Sequence, residues 1–326
     1  MNSQLETRAY WSRKDDLFKK IYQLQKKGFD EGFNSYWEQF GYEIGGPVCF
    51  AYVKWLIDAI ANSHEKILDI VFVARDGWLL KKIYGQLTDS ETMRLHYVYA
   101  SRKVCDESHS FEGRQKYCDY IKSLKLQNGI IAVVDSITTR FSAQKLIDDC
   151  IPNDTLGFYW MVTKSARKLY AKYKCMAFQV SPYHVLRKWN LIEFIMSSPE
   201  PSVINIQNNQ PIYSTPDAEE LYREKIFREM ESGILRFVDD VKTIKPNLQI
   251  SNRLITEWVN EFLKHPSNND IAAFDTITFS DGKSREKLRP FGIREEVTYQ
   301  NIKDELWYGK QIFLSKIYSI RGISDK

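Results

Sequence analysis

Apolar and polar positions change their rhythm along this chain. Residues 3–28 place Leu17, Ile21 and Leu24 at helical spacing among charged groups, which predicts a surface helix. Residues 36–46 are aromatic and glycine-containing, and Gly45-Gly46-Pro47 resets the chain. Residues 48–61 are strongly apolar (Phe50, Val53, Trp55, Leu56, Ile57, Ile60), as a helix buried against a sheet would be. The rhythm then alternates. Apolar runs at 67–74, 95–100, 130–135 and 155–163 predict strands, and 77–87, 112–124 and 142–150 predict the helices between them. Strands separated by helices of about ten residues imply parallel crossovers. A run as continuous as Ile130-Ile131-Ala132-Val133-Val134 suits a sheet covered on both faces.

Beyond residue 165 the pattern turns mostly helical. Helices are predicted over 189–196, 217–241, 251–264 and 304–320, with a hairpin at 203–206 and 211–213 joined through Asn208-Asn209. The expected fold is therefore α/β: an N-terminal helical segment (1–45), a parallel-sheet core (46–165), and a mostly helical accessory region with a small hairpin (166–326).

Composition narrows the function classes. Of 326 residues, 43% are hydrophobic and 27% charged, as in a folded chain with a substantial core. Net charge is +4, from 46 basic and 42 acidic residues, too mild to argue for nucleic acid. Cys49, Cys105, Cys118, Cys150 and Cys175 are scattered and read as reduced thiols of a cytoplasmic protein. The start of the chain is polar, and no apolar stretch was expected to reach the ~20 residues of a membrane span. The protein is expected to be soluble, or at most to contact the inner face of a membrane. The final helix, with Lys310, Lys316 and Arg321 beside Trp307 and Phe313, is the segment that could make such a contact, although packing on the core is the simpler reading.

Three predicted strand ends carry charge or hydroxyls: Arg75-Asp76-Gly77, Ser101-Arg102-Lys103, and Asp135-Ser136 with the loop Thr138-Thr139-Arg140-Phe141-Ser142. In open parallel sheets, ligands sit beyond the carboxyl ends of the strands. Cations gathered there are either paired with Asp76 and Asp135 or form a polyanion site, and spacing alone leaves both readings open. Glu193, in an otherwise apolar helix, reads as structural. So does His96, and His184 beside Tyr183 reads as an ordinary polar contact. Asp275 lacks the second acid that a phosphatase signature needs.

The Asp135 loop resembles the phosphoribosyl-diphosphate signature of type I phosphoribosyltransferases: an apolar strand, acids, and a hydroxyl-rich loop before a helix. It departs where Ser136 replaces a second acid, where the loop is one residue shorter, and where Arg140-Phe141 replaces Gly-Gly. A second set of motifs is ordered along residues 40–215: Gly46-Pro47, Trp55, Phe72 to Gly77, Tyr99 to Arg102, Val134-Asp135 with Gln144, and Glu193 to Val203. It resembles bacterial phosphoribosyltransferases of surface-polysaccharide clusters, which add ribofuranose to capsules and O-antigens beside a haloacid-dehalogenase-type phosphatase. The resemblance implies transfer of ribose 5-phosphate from phosphoribosyl diphosphate to a glycan acceptor, lipid-linked or free, with Mg²⁺. It implies that Arg75, Gly77, Ser101, Arg102 and Lys103 hold diphosphate. Thr138, Thr139, Arg140, Phe141 and Ser142 would hold the 5-phosphate, and Asp135 and Ser136 the ribose. Asp76 and Asp135 would be catalytic and bind metal, with Asp76 open to three roles: metal partner, loop organiser or general base. A non-catalytic phosphate-ligand scaffold and a nucleotide-sugar transferase are the competing readings.

Overall fold

The computed structural model describes residues 16–88, 93–108, 110–163, 166, 168, 171–181, 186–245, 247–280, 285–287 and 290–291. His109, His184 and the predicted helix over 304–320 lie outside them.

Five parallel strands form the central sheet: β1 (Ile67–Ala74), β2 (Arg94–Tyr99), β3 (Ile130–Thr138), β4 (Thr155–Thr163) and β5 (Cys175–Ser181), in the order β2-β1-β3-β4-β5. The strands are apolar almost without interruption because both faces are covered. On one face Ile70, Phe72, Ala132, Val134, Phe158 and Trp160 share a core with α3 (Gly46–Ala61), α4 (Gly77–Leu87) and α8 (Leu186–Met196). On the other, Val71, Val73, Val98, Ile131 and Val133 meet α5 (Arg102–Glu107), α6 (Phe111–Ser123) and α7 (Ser142–Asp148). The two-residue alternation along each strand sends neighbours to opposite cores.

A helical layer backs the first face. It comprises α1 (Asp16–Glu31), α2 (Tyr36–Phe40) running through a π-helical turn (Gly41–Gly45) into α3, α9 (Ala218–Ile244), α10 (Asn252–Lys264) and α11 (Asn268–Asp275). Asp217 caps α9 by accepting the N–H of Glu220. Gly41 and Gly233 let α9 lie backbone to backbone on the π turn: a Cβ at Gly233 would stand 1.9 Å from the Glu38 carbonyl oxygen, and one at Gly41 2.1 Å from that of Met230. The hairpin forms as β6 (Val203–Gln207) and β7 (Gln210–Tyr213), with Asn208 and Asn209 at positive φ. A second short pair, β8 (Thr278–Ser280) and β9 (Arg285–Lys287), follows.

Four findings differ from expectation. β3 runs on to Thr138, beyond the predicted end at Asp135, because Ile137 and Thr138 pair with Met161 and Val162 of β4. β5, beyond the point where the sequence turns helical, completes the sheet. Cys118 and Cys150 form a disulfide joining α6 to the end of α7, whereas five separate thiols were expected. The continuous helical run Tyr36–Ala61 has the length and apolarity of a membrane span, but its apolar 18-residue stretch is 72% buried inside the protein, where it serves as a core helix. Asp275 ends α11 and is exposed.

Candidate functional site

The strand order reverses between β1 and β3, and a crevice at such a reversal is where open α/β sheets bind ligands. Here the crevice has a definite origin. β1 and β3 pair only as far as Phe72 and Val134. β1 then ends at Ala74 and turns through Arg75 and Asp76 into α4, while β3 continues, paired to β4 alone. Asp135 and Ser136 therefore flank the gap that the departing β1 leaves. The Ala74–Arg75 peptide is cis. Gly77 is needed for space, since a Cβ there would lie 2.7 Å from the Phe72 carbonyl carbon.

Asp76, Asp135 and Ser136 meet across this gap. The Ser136 hydroxyl donates to Asp76 Oδ2. The Ser136 N–H donates to Asp135 Oδ1 at 2.8 Å. Burial holds the Asp135 carboxyl well above the usual carboxylate range; the neighbouring Asp76 and Glu193 raise it further, against the pull of the Ser136 N–H. Arg75, the residue before Asp76 in the turn, has its Nη1 buried with no hydrogen-bond partner. A buried carboxyl raised by a neighbouring acid, on the same turn as an unsatisfied guanidinium nitrogen, is the kind of arrangement that functional sites share.

The backbone beneath the site is fixed by Tyr52 of α3. Its hydroxyl lies 2.9 Å from the carbonyl oxygens of both Asp135 and Phe158, so one buried phenol pins β3 to β4 at the acid. Burial, with Asp135 and Asp76, pushes its pKa well up and keeps it a donor.

The remaining predicted residues fall into place as follows. Ser101 caps α5: its hydroxyl accepts the Val104 N–H at 3.2 Å and donates to the Val203 carbonyl at 2.7 Å. Its single proton is thus spent on the hairpin. Arg102 opens α5, and Lys103 is exposed on it. Thr138 is buried, and its hydroxyl oxygen accepts the Phe141 N–H at 2.8 Å, closing a turn over Thr139 and Arg140. Phe141 adopts φ 54°, ψ 30°, a left-handed conformation that glycine takes without strain, and its ring stacks on Tyr173 at 5.6 Å. Arg140 and Ser142 are exposed, and Thr139 is half-buried. The loop is therefore a strand end with a tight turn, shorter than the 136–142 loop expected. Gln144 anchors α7, donating to Thr155 Oγ1 and accepting from the Tyr159 hydroxyl, both at 2.9 Å.

Sequence reasoning undervalued Glu193, which the fold of α8 brings within electrostatic reach of Asp135. It missed Tyr52, whose hydroxyl is hidden in an apolar helical pattern. Among the described residues no group of three or more His, Cys, Asp or Glu gathers to hold a metal ion. Asp76 and Asp135 alone could share one with a ligand. Compared with models of known protein families and with curated proteins, the sequence matches none.

Proposed function

We propose that this chain is a phosphoribosyltransferase that moves ribose 5-phosphate from phosphoribosyl diphosphate to a sugar hydroxyl in the synthesis of a bacterial surface polysaccharide, capsule or O-antigen. One observation carries the reading. At the reversal of a parallel sheet, Asp76 and Asp135 come together, and Arg75, next to Asp76 in the chain, has a buried, unpartnered Nη1. The sheet would then be the core of a type I phosphoribosyltransferase-like fold, which accords with the ordered motifs of residues 40–215.

In the proposed step the bond between ribose C1 and the diphosphate oxygen breaks, and its electron pair leaves with diphosphate. The acceptor oxygen forms the new bond to C1, and its proton passes to the Asp76–Asp135 pair. Arg75 stabilises charge on the departing diphosphate, with Arg102 and Lys103 as its partners on the neighbouring strand end. Thr139, Arg140 and Ser142 hold the 5-phosphate, a remote handle that orients the ribose. Asp135 faces the ribose hydroxyls, and Ser136, buried, holds Asp76 in place beside it. Asp76 and Asp135 fit a magnesium ion of the kind that shares its coordination with substrate phosphates; bound there, it would supply further charge neutralisation to the leaving group.

The product keeps its 5-phosphate, so a separate phosphatase, of the haloacid-dehalogenase type, is the proposed next enzyme. The reaction belongs on the cytoplasmic side, at the inner face of the membrane where the acceptor is lipid-linked. A second reading, a phosphate-ligand scaffold without turnover, is favoured by the commitment of Ser136 to Asp76.

Diphosphate release separates the two. Incubated with phosphoribosyl diphosphate, Mg²⁺ and glycan acceptors, the wild-type chain should release diphosphate, and Arg75→Ala and Asp135→Asn should not. Tight donor binding with no release on any acceptor would establish the scaffold instead.

A further inference from the structure

Next to the Arg75–Asp76 turn, four aromatic rings stand edge to face in a row. Trp78, at the start of α4, meets Tyr97 at 5.5 Å; Tyr97 meets Tyr99 at 5.3 Å; Tyr99 meets Tyr213 of β7 at 6.0 Å. Tyr97 and Tyr99 share one side of β2, because strand side chains alternate. Tyr99 is paired in register with Ala74, the residue before Arg75, so the row begins one strand from the site. It ends in the open, on Tyr213 at 37% exposure.

A single carboxylate gathers these phenols. Tyr97 donates to Glu200 Oε2 at 2.9 Å, and Tyr99 and Tyr213 to Oε1 at 3.2 and 3.4 Å. The Tyr99 and Tyr213 hydroxyls also lie 2.8 Å apart. Burial, with Glu200 beside them, raises the pKa of Tyr97 and Tyr99, so they remain donors. Glu200 stands between Pro199 and Pro201, and Ser101 ties the base of the hairpin to the end of β2. Among the described residues, the partners of the Glu200 carboxylate are phenols, and the lysine over the Trp78 ring, Lys82 at 4.3 Å from its centroid, is paired with Glu231, which disfavours a phosphate there. Ring faces with phenol and carboxylate hydrogen-bonding groups suit a neutral ring that has an apolar face and several hydroxyls.

We infer that this row is the acceptor subsite and that it takes a sugar ring, with Glu200 accepting from its hydroxyls. The acceptor role rests on the phosphoribosyl-transfer reading; the sugar-binding surface does not.

The test uses the full chain and three probes: methyl β-D-glucopyranoside, methyl β-D-galactopyranoside and methyl β-D-ribofuranoside. Saturation-transfer NMR should detect at least one bound to wild type. Tyr213→Ala and Glu200→Gln should weaken that binding about tenfold, the loss of one ring or charge contact. Tyr213→Phe, which keeps the ring, should fall between. Calorimetry with phosphoribosyl diphosphate and Mg²⁺ runs in parallel. Where the donor binds, no transfer to any probe from wild type, or equal transfer from folded variants, overturns the inference. Probe binding that depends on Tyr213 and Glu200, without donor binding, upholds the sugar surface and removes the donor reading.

Discussion

Two acids on neighbouring central strands of one sheet are treated in opposite ways. Asp69, near the start of β1, is fully buried and surrounded by donors. Arg94 Nη2 stands 2.8 Å from its Oδ1, His96 Nε2 2.7 Å from the same atom, and the Gln127 N–H 2.7 Å from Oδ2. Burial alone would push its pKa up, but Arg94, the Gln127 N–H and His96 outweigh that and hold it below the usual range. Asp135, at the other end of β3, has Asp76 and Glu193 for neighbours and is pushed well up. The first is a buried charge that the protein neutralises with its own groups. The second has acids for neighbours, so its proton is held rather than lost, an arrangement common at functional sites.

That contrast can be broken by substitution, the largest effect first. Asp135→Asn and Arg75→Ala should each cut diphosphate release about 10³-fold, whereas Asp69→Asn, in protein that is folded, should leave it near wild type. Asp69→Asn should instead destabilise the chain by about 1–3 kcal/mol in denaturant titrations, because it replaces a buried acceptor of the Arg94, His96 and Gln127 donors by a group that cannot satisfy them all. Asp135→Asn, by contrast, should leave stability unchanged or slightly raised in metal chelator, since it removes a carboxyl whose ionisation burial, Asp76 and Glu193 oppose. Equal destabilisation by both substitutions would erase the distinction.

The pH dependence should carry the same opposition at smaller scale. The depressed pKa of Asp69 contributes stability above its unfolded value, and this is lost as pH falls through its folded value. The raised pKa of Asp135 contributes stability below its unfolded value, lost as pH rises through its folded value. Thermal melts across pH should therefore show a flatter acid limb for Asp69→Asn than for wild type, and a flatter limb above the usual carboxylate range for Asp135→Asn.

The sequence carries more of the sheet than of the site. Continuous apolar runs made β1, β3 and β4 legible, and the charged residues that follow β1 marked Arg75 and Asp76. Ser136-Ile137-Thr138 reads as loop because of its hydroxyls, yet pairing with β4 keeps it in the strand. β5 is short and follows a charged stretch, so only its place beside β4 reveals it. The Cys118–Cys150 bond depends on α6 and α7 packing on one face, which residue spacing does not encode. Tyr52 and the Tyr97–Tyr99–Tyr213 row carry no mark of their role in the sequence, because periodicity reports where a ring is buried and not what its hydroxyl touches.

The claim that the crevice between β1 and β3 accepts a phosphorylated pentose is tested most directly by calorimetric titration of phosphoribosyl diphosphate with Mg²⁺ into wild-type, Arg75→Ala and Asp135→Asn protein. Saturable binding to wild type, weakened at least about tenfold in both variants, is the predicted result. No binding to wild type, or undiminished binding to both variants, would contradict it.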